Sequence, residues 1–65
     1  MKKKEIGERL RNLRGSRKQE EVALAVDISV SALTKYERGD RIPGDEVKLR
    51  LAQYYGKTVQ EIFFA

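Results

Sequence analysis

Near the start of the chain Ile6, Leu10 and Leu13 recur at i, i+4 and i+7 between charged neighbours, the stripe of an amphipathic helix that Gly15 stops. Ser16-Arg17-Lys18-Gln19 has the form of a capping box, in which a serine oxygen and a glutamine side chain satisfy free amide donors; it predicts the start of a second helix. Val22, Ala23 and Val26 give that helix an inward face small enough for close approach, and it is expected to end near Asp27. Ser29 can cap a third helix with Leu33 and Tyr36 inward and Glu37 following, and Gly39 is placed for a left-handed turn. Two glycines and Pro43 bracket a loop from Gly39 to Asp45, because proline forbids an unbroken helix from Tyr36 to Val47. Val47, Leu51 and Tyr54 or Tyr55 mark a fourth helix ending at Gly56, and Thr58-Val59-Gln60-Glu61 is a second capping box opening a short fifth. With no alternating strand pattern and no internal repeat, the expected class is all-α.

Composition narrows the chemistry. A chain of 65 residues holds one small core, so residues 1–65 are expected to form a single domain. With neither cysteine nor histidine there are no disulfides, no usual zinc ligands and no Ser-His or Cys-His nucleophile. Glu5, Glu8, Glu20, Glu21 and Glu46 fall on expected exposed faces, and no convergent catalytic cluster can be named. The expectation is therefore a protein that is not an enzyme and takes no metal, cofactor or small-molecule ligand. No apolar run approaches the roughly 20 residues of a membrane span, and Met1-Lys2-Lys3-Lys4 is followed by Glu5 rather than by a signal-peptide apolar stretch. A cytoplasmic location without membrane contact is expected.

The net charge of +4 is concentrated. Residues 1–41 carry 11 Lys/Arg and 7 Asp/Glu, residues 42–65 three of each, and residues 1–18 alone hold 8 basic against 2 acidic side chains. Such asymmetry marks either a phosphate-contacting surface or a solvated tail. The Lys2–Lys4 run by itself reads as the latter, a flexible basic arm over residues 1–4.

Residues 16–39 form the most informative unit: two short helices joined by a tight turn around Asp27-Ile28-Ser29, a joint that projects the second helix's polar face outward. With Leu33 and Tyr36 inward, Val30, Ser31, Thr34 and Lys35 face out. Short side chains and one cation suit a DNA major groove, where valine meets a thymine methyl, serine bonds base edges and lysine reaches guanine or phosphate. An ordinary solvent-facing helix would look similar.

The flanking pattern is more specific. Arg14, Gln19-Glu20-Glu21-Val22-Ala23, Ile28-Ser29, Leu33, Tyr36-Glu37-Arg38-Gly39 and Pro43 together closely resemble the Cro/repressor-type (XRE-like) helix-turn-helix family, over nearly the whole chain from Ile6 to Phe64. The resemblance implies a compact five-helix, lambda-repressor-like DNA-binding domain whose third helix enters the major groove. It implies base reading by Val30, Ser31 and Lys35. Gln19 is implied to bond a phosphate and brace the recognition helix, Ser29 and Thr34 to make secondary contacts, and Arg38 and Arg41 to form a second phosphate-contacting region. It further implies that Arg14 and Glu37 form a structural pair linking the first and third helices. Three departures stand out: a Gly15–Lys18 connection about two residues shorter than the commonest form, Lys18 in place of serine or threonine, and Asp27 in place of the turn glycine.

The implied function is sequence-specific double-stranded DNA binding by a transcriptional regulator, a repressor acting as a homodimer. The alternative is an antitoxin or other interaction module whose main task is to bind a partner protein. The pairing surface is expected at the aromatic end of the chain, with Tyr55, Ile62 and Phe63 completing the core and Tyr54 and Phe64 left for an interface.

Overall fold

The computed structural model describes residues 2–65. Among them are five helical elements and no strand: α1 (Lys3–Arg14), α2 (Gln19–Ala25), α3 (Val30–Arg38), α4 (Asp45–Tyr55) and a short wide turn of π type, Gln60–Phe64. The inward stripes meet in one core of Ile6, Leu10, Val22, Ala23, Val26, Leu33, Tyr36, Leu51, Ala52, Ile62 and Phe63, each 7% exposed or less. No helix is long and apolar enough to cross a membrane.

The helix ends repeat one device. After α3, Gly39 takes a left-handed backbone (φ 75°), its amide bonds Tyr36 O and the Asp40 amide reaches back to Lys35 O. The same pattern closes α4 at Gly56, and α2 at Asp27, whose φ of 58° is unusual for a residue with a side chain. There the Ile28 amide reaches Ala23 O at 3.0 Å, and the chain turns into α3 within four residues. Aspartate adopts this backbone more readily than most residues but still at a cost relative to glycine.

Of the two expected capping boxes, one forms. Thr58 and Glu61 bond reciprocally, Thr58 N to Glu61 Oε1 at 2.9 Å and Glu61 N to Thr58 Oγ1 at 3.0 Å. The Thr58 amide thereby holds the Glu61 carboxyl below its usual range. Ser16 to Gln19 does not form a box: Lys18 occupies the cap position without a side-chain bond, and α2 begins only at Gln19. The glutamine that would complete the box is spent across the fold on α3, while Arg14 Nη1 secures the turn by donating to Arg17 O at 2.9 Å.

The expected arm over residues 1–4 also needs correction. Met1 lies outside the described residues, Lys2 is the cap residue of α1, and Lys3 and Lys4 belong to its first turn. Lys4 Nζ donates to Arg38 O at 3.0 Å, so this turn is docked on the end of α3. The docking is possible because α1 crosses α3 backbone to backbone. A Cβ on Gly7 would fall inside the Glu37 carbonyl and 2.9 Å from Tyr36 O, and one on Gly39 would lie 2.9 Å from Lys4 Cα.

Candidate nucleic-acid interface

Helix α3 has two unlike sides because its periodicity sends Leu33, Tyr36 and Glu37 into the domain and leaves Val30, Ser31 and Lys35 outside. Ser29 starts it, its Oγ accepting the Ala32 amide at 3.0 Å. The Ser29 oxygen thereby serves the cap and keeps its hydroxyl proton as a donor. Val30 is 39% exposed, one of several apolar side chains at the surface together with Leu24 and Leu49. Among the described residues neither Ser31 nor Lys35 makes a side-chain hydrogen bond or ion pair. Thr34, expected on the same outer face, is half-buried, and its hydroxyl donates to Gln19 Oε1 at 3.3 Å.

That bond is the end of a chain of side chains fixing α3 to the rest of the domain. Arg14 makes two parallel contacts to Glu37, Nε to Oε2 at 2.8 Å and Nη2 to Oε1 at 2.9 Å, the fork geometry a guanidinium and a carboxylate favour. The Glu37 side chain is 2% exposed and that of Arg14 19%. Glu37 Oε1 also accepts from Gln19 Nε2 at 3.0 Å. Because a carboxylate only accepts, it fixes which end of the Gln19 amide faces it and leaves the amide oxygen for Thr34. The Arg14 pKa is raised above its ordinary value chiefly by its hydrogen bond to Glu37. Thus Arg14, on α1, and Gln19, at the start of α2, meet the inner side of α3, and the shortened α1–α2 connection still allows both to reach it.

Behind this network Tyr55 is half-buried, and burial first, then the Glu37 charge, pushes its phenol up to about 12. Its hydroxyl is enclosed and has no partner among the described residues. The Arg17 guanidinium covers the neighbouring rings, 5.3 Å from the centre of Tyr54 and 5.7 Å from that of Tyr55. Tyr54 is therefore not a free aromatic surface: it is half-buried under Arg17, with its hydroxyl 3.5 Å from Glu21. Phe64 is 51% exposed, with Lys48 Nζ 5.1 Å from its ring centre. Ile62 and Phe63 lie in the core.

The remaining cations expected at the site lie at the end of α3 and in the loop that follows it. Arg38 is exposed and pairs with Asp40 at 3.4 Å, while Arg41 extends from the loop with no hydrogen bond or ion pair among the described residues. Lys4, read as part of a tail, joins them through its bond to Arg38 O. A glycine inside an otherwise helical pattern, Gly7, was the sequence signal for this approach of α1 to α3.

A search of curated proteins finds no match to the chain. Residues 8–62 match the model of the family described as Helix-turn-helix, a span running from the first turns of α1 into the final π turn. The tight α2–α3 joint, the outward side of α3 and this match lead to one assignment: the chain belongs to the Cro/XRE-type helix-turn-helix family of DNA-binding transcription regulators and has its five-helix, lambda-repressor-like fold.

Proposed function

We propose that the protein binds double-stranded DNA sequence-specifically and represses transcription as a homodimer. One observation carries the reading: Val30, Ser31 and Lys35 stand together on the outer side of a helix whose opposite side is locked by the Arg14–Glu37–Gln19–Thr34 network. A rigid helix with an unengaged outer edge is what direct readout of a major groove requires, because base contacts discriminate only when held in register. Val30 would meet a thymine methyl, Ser31 a base edge, and Lys35 guanine O6/N7. Arg38 and Arg41 would meet phosphates, with Gln19 and Ser29 at the helix starts contributing their remaining donors. Thr34 acts through Gln19.

A single domain making this few base contacts gains affinity and length of site by pairing, with half-sites about 34 Å apart. Phe64 is the exposed aromatic available for that interface. The test is selection of bound sequences from random duplexes, performed at two salt concentrations, with half-site symmetry read from the selected set. Replacing Val30, Ser31 and Lys35 together by alanine should abolish the preference. If the triple variant keeps both the preference and the regulated phenotype, the reading is wrong and the protein-partner alternative gains.

A further inference from the structure

We propose that Lys3 and Lys4, in the first turn of α1, form a second phosphate-contacting strip continuous with Arg38 and Arg41, extending the DNA contact beyond the end of the recognition helix. The inference rests on the DNA-binding reading. It begins from a local conflict. The amino end of a helix carries the positive pole of its dipole, so cations there are disfavoured and acidic or capping side chains preferred. Helix α1 does the opposite: its cap residue is Lys2, without a side-chain cap bond, and its first two residues are Lys3 and Lys4. The acidic residue of that turn, Glu5, only grazes Lys2 at 4.0 Å, both side chains being widely exposed.

The fold relieves the conflict only in part, for Lys4 alone, by setting its cation at the negative end of α3. Lys4 Nζ is drawn to Arg38 O at 3.0 Å, and the absent Cβ of Gly39 lets Lys4 Cα and Lys3 O lie directly against the α3 end. Lys3, Lys4 and Arg38 thereby meet at one joint, with Arg41 two residues past Gly39 along the chain, and Asp40 pairs with Arg38. In the free domain these like charges repel one another and oppose the helix dipole. A polyanion passing the joint reverses the sign of both effects. Both lysines are exposed, as are Arg38 and Arg41.

The test measures affinity of the full chain for a short mixed-sequence duplex between about 50 and 200 mM salt, where each neutralised phosphate contributes about 0.9 to the log–log slope. Wild type is compared with Lys3→Gln/Lys4→Gln, with Arg41→Ala, and with Lys57→Gln, which removes a charge from the groove between α1 and the π turn. The double variant should show a slope shallower by about 1.8, so that over this fourfold range wild type loses about twelvefold more affinity than the variant does. Because Lys4→Gln removes the bond to Arg38 O, stability is checked with Lys3→Gln alone, which removes no hydrogen bond among the described residues; its melting temperature should hold or rise and its slope should still fall by about 0.9. An unchanged slope in both lysine variants, with a reduced one in Arg41→Ala, overturns the strip and leaves the DNA reading standing. An equal loss per charge in Lys57→Gln also overturns it, since the effect would then be net charge alone. If wild type binds neither this duplex nor any selected one, the DNA reading falls and the strip with it.

Discussion

Removing Arg14 should cost the fold a large part of its stability, and for a reason that separates stability from DNA contact. The Glu37 side chain is 2% exposed and holds its charge against two guanidinium bonds and one amide. Arg14→Met keeps the aliphatic bulk and leaves the carboxylate with Gln19 as its remaining hydrogen-bond donor. Stranding a buried charge in this way costs about 3–5 kcal/mol. A 65-residue domain has in total about 3–10 kcal/mol to lose, so the single variant should be marginal at room temperature. Glu37→Gln keeps an acceptor for Gln19 and no longer strands a charge, so the double variant should recover about 2 kcal/mol over Arg14→Met alone. Urea unfolding followed by helical circular dichroism measures this cycle, provided that the slope against denaturant stays the same. An Arg14→Met variant within about 1 kcal/mol of wild type, or a double variant whose loss is the sum of the two singles, would refute the account of a buried pair. The same cycle guards functional assays: loss of DNA binding in Arg14→Met that returns in the double variant reports folding.

Tyr55→Phe removes an enclosed hydroxyl that has no partner, so at neutral pH it should hold or raise stability by up to about 1 kcal/mol. In wild type the phenol is near 12 when folded against about 10 unfolded, so its contribution is intact below pH 10 and lost as pH climbs toward 12. Wild type should then lose about 2–3 kcal/mol more than Tyr55→Phe across that window, measured by thermal melts at stepped pH; parallel losses would contradict it. Asp27→Gly relieves a left-handed backbone at φ 58° and should stabilise by about 1 kcal/mol, read as a higher urea midpoint. Gly7→Ala gains about 1 kcal/mol of helix propensity but drives a methyl into the Glu37 carbonyl, so a net loss of about 1–2 kcal/mol is expected; a gain would mean that α1 and α3 can separate freely. Lys35→Ala should change preference among duplexes by about 1–3 kcal/mol, whereas Arg41→Ala should weaken all duplexes alike, both read from competition binding; identical behaviour would reduce Lys35 to a phosphate contact.

What was legible in the chain were features decided within one helical turn. Ser29 and Thr58 cap because their oxygens need only reach an amide three residues on, and Gly39 and Gly56 end helices because the left-handed turn is a property of one residue. The outward placement of Val30, Ser31 and Lys35 follows from the period that buries Leu33 and Tyr36. Ser16-Arg17-Lys18-Gln19 satisfies the same local rule, yet tertiary structure overruled it: Gln19 Nε2 donates to the buried Glu37 carboxylate, 18 residues away, which leaves the Gln19 oxygen to accept from the Thr34 hydroxyl rather than from the Ser16 amide. Tyr54 could not be assigned from the pattern either, since its cover comes from Arg17 across the fold. Lys3 and Lys4 look like a tail in isolation and form the first turn of α1, packed on the end of α3 where Gly7 and Gly39 carry no Cβ. Periodicity and caps determine which segments are helices and which face turns inward. Which polar side chain meets which is decided when the helices close on one another, since distance in space, unlike spacing along the chain, sets the strength of a charge or a hydrogen bond.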